Sequence, residues 1–462
     1  MNFFYFLYLL KVFISPILSS FLFGNEYKEK IIYFPITLNF NSYYTNIYLG
    51  EPPQQLFLSL DQELQVTWAD TIHYNQDNSL TSKYINKTTI SFRKINLFGE
   101  TINDRISLIN KTSTNKNLNL NITKNVTISE FWFVVVGNSR GYDSRVGGIG
   151  LAYKFSDEAY SLIHHLKNNK LIIHLSYGFI PPTLLLKDDN DYSTNYNNSE
   201  NILNKEGLIF FGGMPKKYIT NKYRYNCKVT NKYNFWSCEL PYIFFGDIPY
   251  NNNANNLYFE NKNYAYFNGA ERRILAPEDF MTFLKFNYFK NEITNGTCKY
   301  YLYGMNYVFE CICVIKNTFP NVSFIFNNYQ YKFTPDELFE YYGGGNCLFL
   351  IQGNHLRKNN FVFGTPFLNK FISNFDYETK YITFYSEKQI EGINLYKIFY
   401  WRKVKRYIIG IIVIIIIIGI ILYIRRRIRI KKHKKELLLE IKSKGKNKIK
   451  KMNEEEEGYE LK

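Results

Sequence analysis

The sequence predicts a mainly β ectodomain in two halves of similar length, followed by one membrane-spanning helix. Three observations carry this expectation. Short alternating apolar and polar runs recur through residues 36–385, two turn motifs repeat at similar spacing, and an uncharged Ile-rich run, Tyr407–Ile424, lies near the C-terminus. With 462 residues, 46% hydrophobic and 21% charged, the chain can bury a sizeable core, and disordered and fibrous classes are excluded. The 41 Tyr and 40 Phe accompany many Asn, Lys and Ile, a compositional bias that carries no functional signal by itself.

The apolar run sets the compartment. Its 18 residues are bounded by Arg406 and Arg425 and, as a helix, span ~27 Å, enough for a thin bilayer. Arg425, Arg426, Arg427, Arg429, Lys431, Lys432, Lys434 and Lys435 follow it, and only Arg402, Lys403, Lys405 and Arg406 precede it. The more basic flank is expected in the cytosol, which makes this a type I single-pass protein of the secretory-pathway or plasma membrane. Met1–Gly24, apolar apart from Lys11, reads as a signal sequence. The expected order is signal 1–24, N-terminal half 25–206, C-terminal half 207–388, stalk 389–406, membrane helix 407–424 and basic tail 425–462.

Net charge is +17, and residues 401–462 hold +12 of it, with 19 Lys/Arg against 7 Asp/Glu. An excess placed beside an apolar run points to a membrane surface and not to nucleic acid. The tail is therefore expected to contact anionic lipid, its first part doubling as a stop-transfer flank. Glu454–Glu457 is a solvated acidic end.

All six cysteines, Cys227, Cys238, Cys298, Cys311, Cys313 and Cys347, fall in the part expected outside the cytosol, where disulfides persist. Cys298 and Cys311 are symmetric about Gly304-Met305, a pair suited to a type II′ hairpin turn, which sets them opposite each other. Cys227 and Cys238 are symmetric about Lys232-Tyr233 with less favourable parity, leaving Cys313 to pair with Cys347. No metal-ligand spacing occurs and the six His do not cluster, so no metal or cofactor is expected. Sequons at Asn86, Asn110, Asn121, Asn125, Asn197, Asn295 and Asn321 are candidate glycan acceptors.

The runs ITLNF, SYYTNIYLG, QLFLSL, EFWFVVVG, LIFFGG, YIFFGD, YAYFNG, VSFIF, FVFGTPF and YITFY read as strands. Asp157–Lys167 and Pro277–Leu284 read as short helices, and Lys187–Glu206 and Asp247–Asn263 as Asn/Asp-rich surface loops. One apolar run ends in Asp61, with Gly-Ile-Gly-Leu around Gly150 following 89 residues later. A second ends in Asn268, with Val-Phe-Gly around Gly364 following 96 residues later.

These residues resemble the pepsin-like eukaryotic aspartic endopeptidases, of the plasmepsin and cathepsin D type. The run Tyr43–Gln55 is similar to that family's opening pattern, and Phe57-Leu58-Ser59-Leu60-Asp61 stands where its first catalytic aspartate follows. Val146–Tyr153 resembles its Gly-Ile-Leu-Gly-Leu-Ala segment, Leu208–Gly213 with Tyr218 the strand opening its second lobe, and Phe361–Phe375 with Asp376 its closing segment. The resemblance covers roughly residues 35–388. It implies a bilobal fold, two β lobes flanking a cleft, with one catalytic carboxylate from each.

The chemistry of that family needs two carboxylates sharing a proton, one acting as general base on water and the other as acid. Each site of the family reads Asp-Thr/Ser-Gly. Here the first reads Asp61-Gln62-Glu63 and the second Asn268-Gly269-Ala270. Asp61 keeps the first aspartate position, whereas Asn268, at the second, cannot ionise. The flap Tyr of the family falls on Phe92, and its flap glycines on Arg93 and Ile95. The leading expectation is a catalytically inactive homologue that binds a peptide or protein in its cleft or serves as a structural ectodomain. The alternative is an aspartic endopeptidase pairing Asp61 with an unusual partner such as Glu63. An adhesion or receptor ectodomain reusing the fold differs from the first only in partner.

Overall fold

Each of the ten alternating runs contributes a strand in the computed structural model, which describes residues 30–39, 41–92, 95–108, 125–137, 147–155, 157–185, 206–250, 263–354, 360–392 and 395–457. The signal segment 1–24, Arg93, the sequons at Asn110, Asn121 and Asn197, and most of the two Asn/Asp-rich stretches lie outside the described residues. The chain divides into two compact units, Met1–Gly392 and Ile393–Lys462.

The first unit is mainly β. Among the described residues it holds sheets of thirteen, nine and four strands. Strands such as Ser176–Ile180, Asn263–Phe267 and Val322–Phe326 are buried along their whole length, so they read as nearly continuous apolar runs. The two expected helices form as Leu162–Asn168 and Glu278–Asn287, the latter burying Phe280, Met281 and Leu284.

One arrangement of strands occurs twice. Gln54–Asp61 runs parallel to Gly147–Gly150, which is antiparallel to Trp68–Asp70, itself parallel to Val126–Val136. In the nine-stranded sheet, Asn263–Phe267 runs parallel to Asn360–Phe363, which is antiparallel to Ile274–Ala276, itself parallel to Ile351–Asn354. The apolar-apolar-Gly segments are the parallel partners in both copies. Their glycines have a steric cause: a Cβ on Gly150 would lie 2.7 Å from the Val66 backbone, and one on Gly364 2.1 Å from the Glu271 carbonyl oxygen. The first strand of each copy delivers its turn, at Asp61 and at Asn268.

Three disulfides staple this unit: Cys298–Cys311, Cys313–Cys347 and Cys227–Cys238. Cys298 and Cys311 are register partners across the hairpin whose turn is Gly304-Met305, with Gly304 at φ 61°. Cys227 and Cys238 do not face each other across one hairpin. Cys227 pairs in register with Ile382 in the thirteen-stranded sheet and Cys238 with Ala265 in the nine-stranded sheet, so this bond ties the two sheets together.

The second unit is one helix, Leu395–Glu457. Its apolar stretch from Tyr407 has a mean hydropathy of 3.3 and no residue buried, the composition and length of a membrane span. Of the expected stalk, Glu391 and Gly392 still belong to the β unit: Gln330 N–H donates to the Glu391 carbonyl at 3.0 Å, and Tyr329 bridges to Gly392.

Candidate functional site

The strand Gln54–Asp61 pairs Leu60 with Ile149 and Asp61 with Gly150, and Leu151 N–H donates to the Asp61 carbonyl at 2.9 Å. This fixes the first turn. The second is fixed by Asn268 N–H donating to the Phe363 carbonyl at 3.0 Å and by Glu271 N–H closing on the Asn268 carbonyl at 3.1 Å.

The two turns meet. Asn268 Nδ2 donates to Asp61 Oδ1 at 3.0 Å, although the residues are 207 positions apart. Each side chain also folds onto its own turn: Glu63 N–H donates to Asp61 Oδ1 at 2.9 Å and Ala270 N–H to Asn268 Oδ1 at 3.0 Å. Two further bonds cross between the turns. Gln62 N–H donates to Asn268 Oδ1 at 3.3 Å, and Gly269 N–H donates to Gln62 Oε1 at 2.5 Å. Asp61, Gln62 and Asn268 are all within 1% of complete burial.

The orientation of the Asn268 amide follows from its partners. Two backbone N–H groups converge on Oδ1, so that atom is the acceptor and Nδ2 faces the carboxylate. An amide donates this hydrogen at every pH. A carboxylate at the same place would have to share a proton with Asp61, because like charges so close cannot both ionise. Position 268 therefore offers Asp61 a neutral donor and no second titrating group.

Gln62 and Gly269 are complementary. Gln62 reaches across with its amide oxygen, and Gly269 gives the backbone N–H that it takes. A Cβ on Gly269 would lie 2.9 Å from Tyr43 Cδ2, so the bare glycine makes room for that buried ring. Tyr43 in turn donates its backbone N–H to the Gly269 carbonyl at 2.8 Å and its hydroxyl to Asn369 Oδ1 at 2.7 Å. Ser42 Oγ donates to the Ala270 carbonyl at 3.1 Å. The opening strand thereby clasps the second turn.

Beneath the first turn lies an aromatic layer. Tyr177 Oη and Trp236 Nε1 both donate to the Leu151 carbonyl, at 3.0 and 2.8 Å, and Tyr177 stacks on Phe375 with ring centroids 5.0 Å apart. Burial pushes the Tyr177 phenol well above its ordinary range, with Tyr377 and the Asp61 carboxylate adding in the same direction. It stays a neutral donor. Tyr43, Tyr177 and Trp236 escape motif-based reading, since buried aromatics in strands carry only a core signal.

Phe92 ends the strand Lys83–Phe92 and pairs with Ile95, beside the turn of a long hairpin. Glu63 is 7% exposed. Arg273, five residues past Asn268, is 7% exposed and pairs through a guanidinium nitrogen with Glu340 at 2.7 Å, while Asn41 Nδ2 donates to the same carboxylate at 2.6 Å. Burial lowers the Arg273 guanidinium from its ordinary value and Glu340 opposes that shift.

A second constellation, Ser161 Oγ at 2.7 Å from His164 Nδ1 with His164 Nε2 at 3.6 Å from Glu158, has the composition of a nucleophile set. Ser161 is completely buried at the start of the helix Leu162–Asn168, which leaves its hydroxyl closed to any substrate. Among the described residues, no group of three or more His, Cys, Asp or Glu converges as a metal site.

No protein-family model matches this chain, and no curated protein is significantly similar to it. The geometry of the floor therefore carries the functional argument on its own.

Proposed function

We propose that this chain is a membrane-anchored ectodomain of the bilobal pepsin-like type in which an amide stands in place of the second carboxylate of the peptidase pair, and that it binds a peptide or protein segment without cutting it. One observation carries the reading: the group facing Asp61 across the floor is the Asn268 amide, at 3.0 Å, with its orientation set by two backbone donors. General acid–base assistance is worth roughly 10²–10⁴-fold per positioned group, and an amide supplies none of it. The twofold strand arrangement and the order of the family-like segments support the two-lobed architecture. The cross-bonded turns support a defined floor: Asn268 takes the Gln62 N–H and Gln62 takes the Gly269 N–H.

In this reading residues 25–406 face the lumen or the cell exterior and residues 425–462 the cytosol. The apolar helix and the three disulfides support it. The test is retention of a diverse peptide library by the purified ectodomain, with eluted peptides sized by mass spectrometry. Intact peptides enriched over the library are expected. Recovery of cleaved peptides only, or no enrichment at all, would contradict a recognition groove.

A further inference from the structure

The hairpin closed by Cys298–Cys311 leaves a strand at the rim of its sheet. Among the described residues, Cys298–Tyr303 pairs with Asn306–Ile312 on one side and with no strand on the other. Its parity is fixed twice. The two-residue turn Gly304-Met305 makes Tyr303 and Asn306 a hydrogen-bonded pair, and Cys298 and Cys311, with Cα atoms 4.0 Å apart, are a non-hydrogen-bonded one. Lys299, Tyr301 and Tyr303 therefore direct their backbone groups to the neighbouring strand, whereas Tyr300 and Leu302 turn N–H and C=O outward. Among the described residues, no backbone partner takes those four groups. Edge strands are ordinarily blunted by a proline, a bulge or several charges. This one carries a single charge, Lys299, followed by Tyr-Tyr-Leu-Tyr. Tyr301 is 38%, Leu302 54% and Tyr303 67% exposed, and Met305 in the turn 43%.

An apolar edge with open backbone groups is a template for strand addition. We infer that Cys298–Tyr303 pairs with the same strand of a second copy of this chain, antiparallel about a twofold axis at Tyr301, joining two sheets into one. The strand itself selects that occupant. Its exposed stretch, Lys299–Tyr303, is centred on Tyr301, so self-pairing sets Tyr300 against the partner's Leu302 and closes four backbone hydrogen bonds. The charge is off-centre: Lys299 meets the ring of the partner's Tyr303 in a cation–π contact, and the two lysines stay four positions apart, about 13 Å. Tyr301 faces the partner's Tyr301 at a non-hydrogen-bonded position, where side chains approach most closely. Tyr301, Leu302, Tyr303 and Met305 expose on the order of 400 Å² per copy, about 800 Å² in the pair, the size of a weak and reversible interface. Pairing should therefore rise with the density of the chain.

The inference uses none of the residues of the floor and stands apart from what that floor binds. Its test uses the full chain reconstituted in lipid vesicles. The six cysteines are all in disulfides, so Tyr301→Cys adds one thiol at the twofold position, where paired Cα atoms approach to ~4.5 Å, within disulfide reach. Mild oxidation should give severalfold more covalent dimer than with Ile72→Cys, an exposed thiol in the turn after Trp68–Asp70. Adding Leu302→Pro should return the yield to that control, because proline removes an outward N–H that the hairpin itself does not use. With no new cysteine, energy transfer between donor-tagged and acceptor-tagged chains in the same vesicles should rise with protein density and fall severalfold with Leu302→Pro or Leu302→Lys. Equal cross-linking at positions 301 and 72, or energy transfer unchanged by both substitutions of Leu302, would overturn the inference.

Discussion

Asn268 gives its side-chain N–H to Asp61 Oδ1 across 3.0 Å, joining two turns that belong to different sheets. The contact sets an amide against a carboxyl group, and both groups are buried. Its consequences for stability, pH dependence and activity can each be measured.

Asn268→Asp should create two carboxylates in contact while removing the donor to Asp61. The folded pair must then hold a proton that the unfolded chain releases near its ordinary carboxylate value of ~3.9. A pKa raised in the folded state means that stability is retained at acid pH and lost as pH rises through the raised value. The variant should match the parent protein near pH 4 and fall below it by about 2–4 kcal/mol at pH 7. Urea denaturation of both proteins at the two pH values checks this; a pH-independent difference would contradict it.

Gln62→Ala leaves the buried Gly269 N–H without its acceptor and should cost about 1–3 kcal/mol. Gly269→Ala sets a methyl 2.9 Å from Tyr43 Cδ2 and should cost a similar amount through overpacking. Tyr43→Leu should relieve most of the Gly269→Ala penalty, so a double-mutant cycle should return a coupling of about 1 kcal/mol or more. Additive effects would show that the ring and the glycine are not matched.

Removing the Cys227–Cys238 bond by paired Ser substitution should lower stability by about 3 kcal/mol, from the entropy of closing a loop of its length. Because the bond ties two sheets, the loss should show as a lower midpoint of a single unfolding transition. Two separated transitions would indicate that the sheets unfold independently once the bond is gone.

Glu340→Gln removes the partner of the buried Arg273 guanidinium. The expected loss is about 2 kcal/mol, less than for a fully buried pair because Glu340 is more than a third exposed. Thermal unfolding of the ectodomain at pH 7 measures it. An unchanged midpoint would mean that the pair contributes nothing.

For the proposed orientation, protease added outside sealed vesicles should remove only the segment after Ile424. Loss of the region around Asp61 under those conditions would mean the reverse topology.

Strands were legible wherever apolar residues alternate or run continuously, as in Phe57–Leu60 and Val322–Phe326. The hairpin Lys83–Phe92 with Ile95–Leu108 was not, because its Lys, Asn and Thr content hides the period. Short strands such as Ile351–Asn354, with Gln352 and Gly353 at their centre, carry too little β signal to be found locally. Asp61 and Asn268 were legible as the ends of two apolar runs, but the exchange between their turns was not. Gln62 reads as a lost hydroxyl until its amide oxygen is seen to take the N–H of a residue 207 positions away. Non-local exchange of this kind leaves no trace in local spacing. Cys227 and Cys238 make the same point: near in sequence, they are joined because separate strands of separate sheets bring them together.

The central claim is that the group facing Asp61 from position 268 is an amide, which cannot titrate, and that the floor therefore does not support pepsin-type cleavage. The most direct measurement incubates the purified ectodomain, residues 25–406, and its Asp61→Asn variant with a diverse peptide library between about pH 3 and 7, the range in which a coupled carboxylate pair works. The account predicts no cleavage above background by either protein at any pH. Cleavage by the parent protein that disappears in a correctly folded Asp61→Asn variant would contradict it.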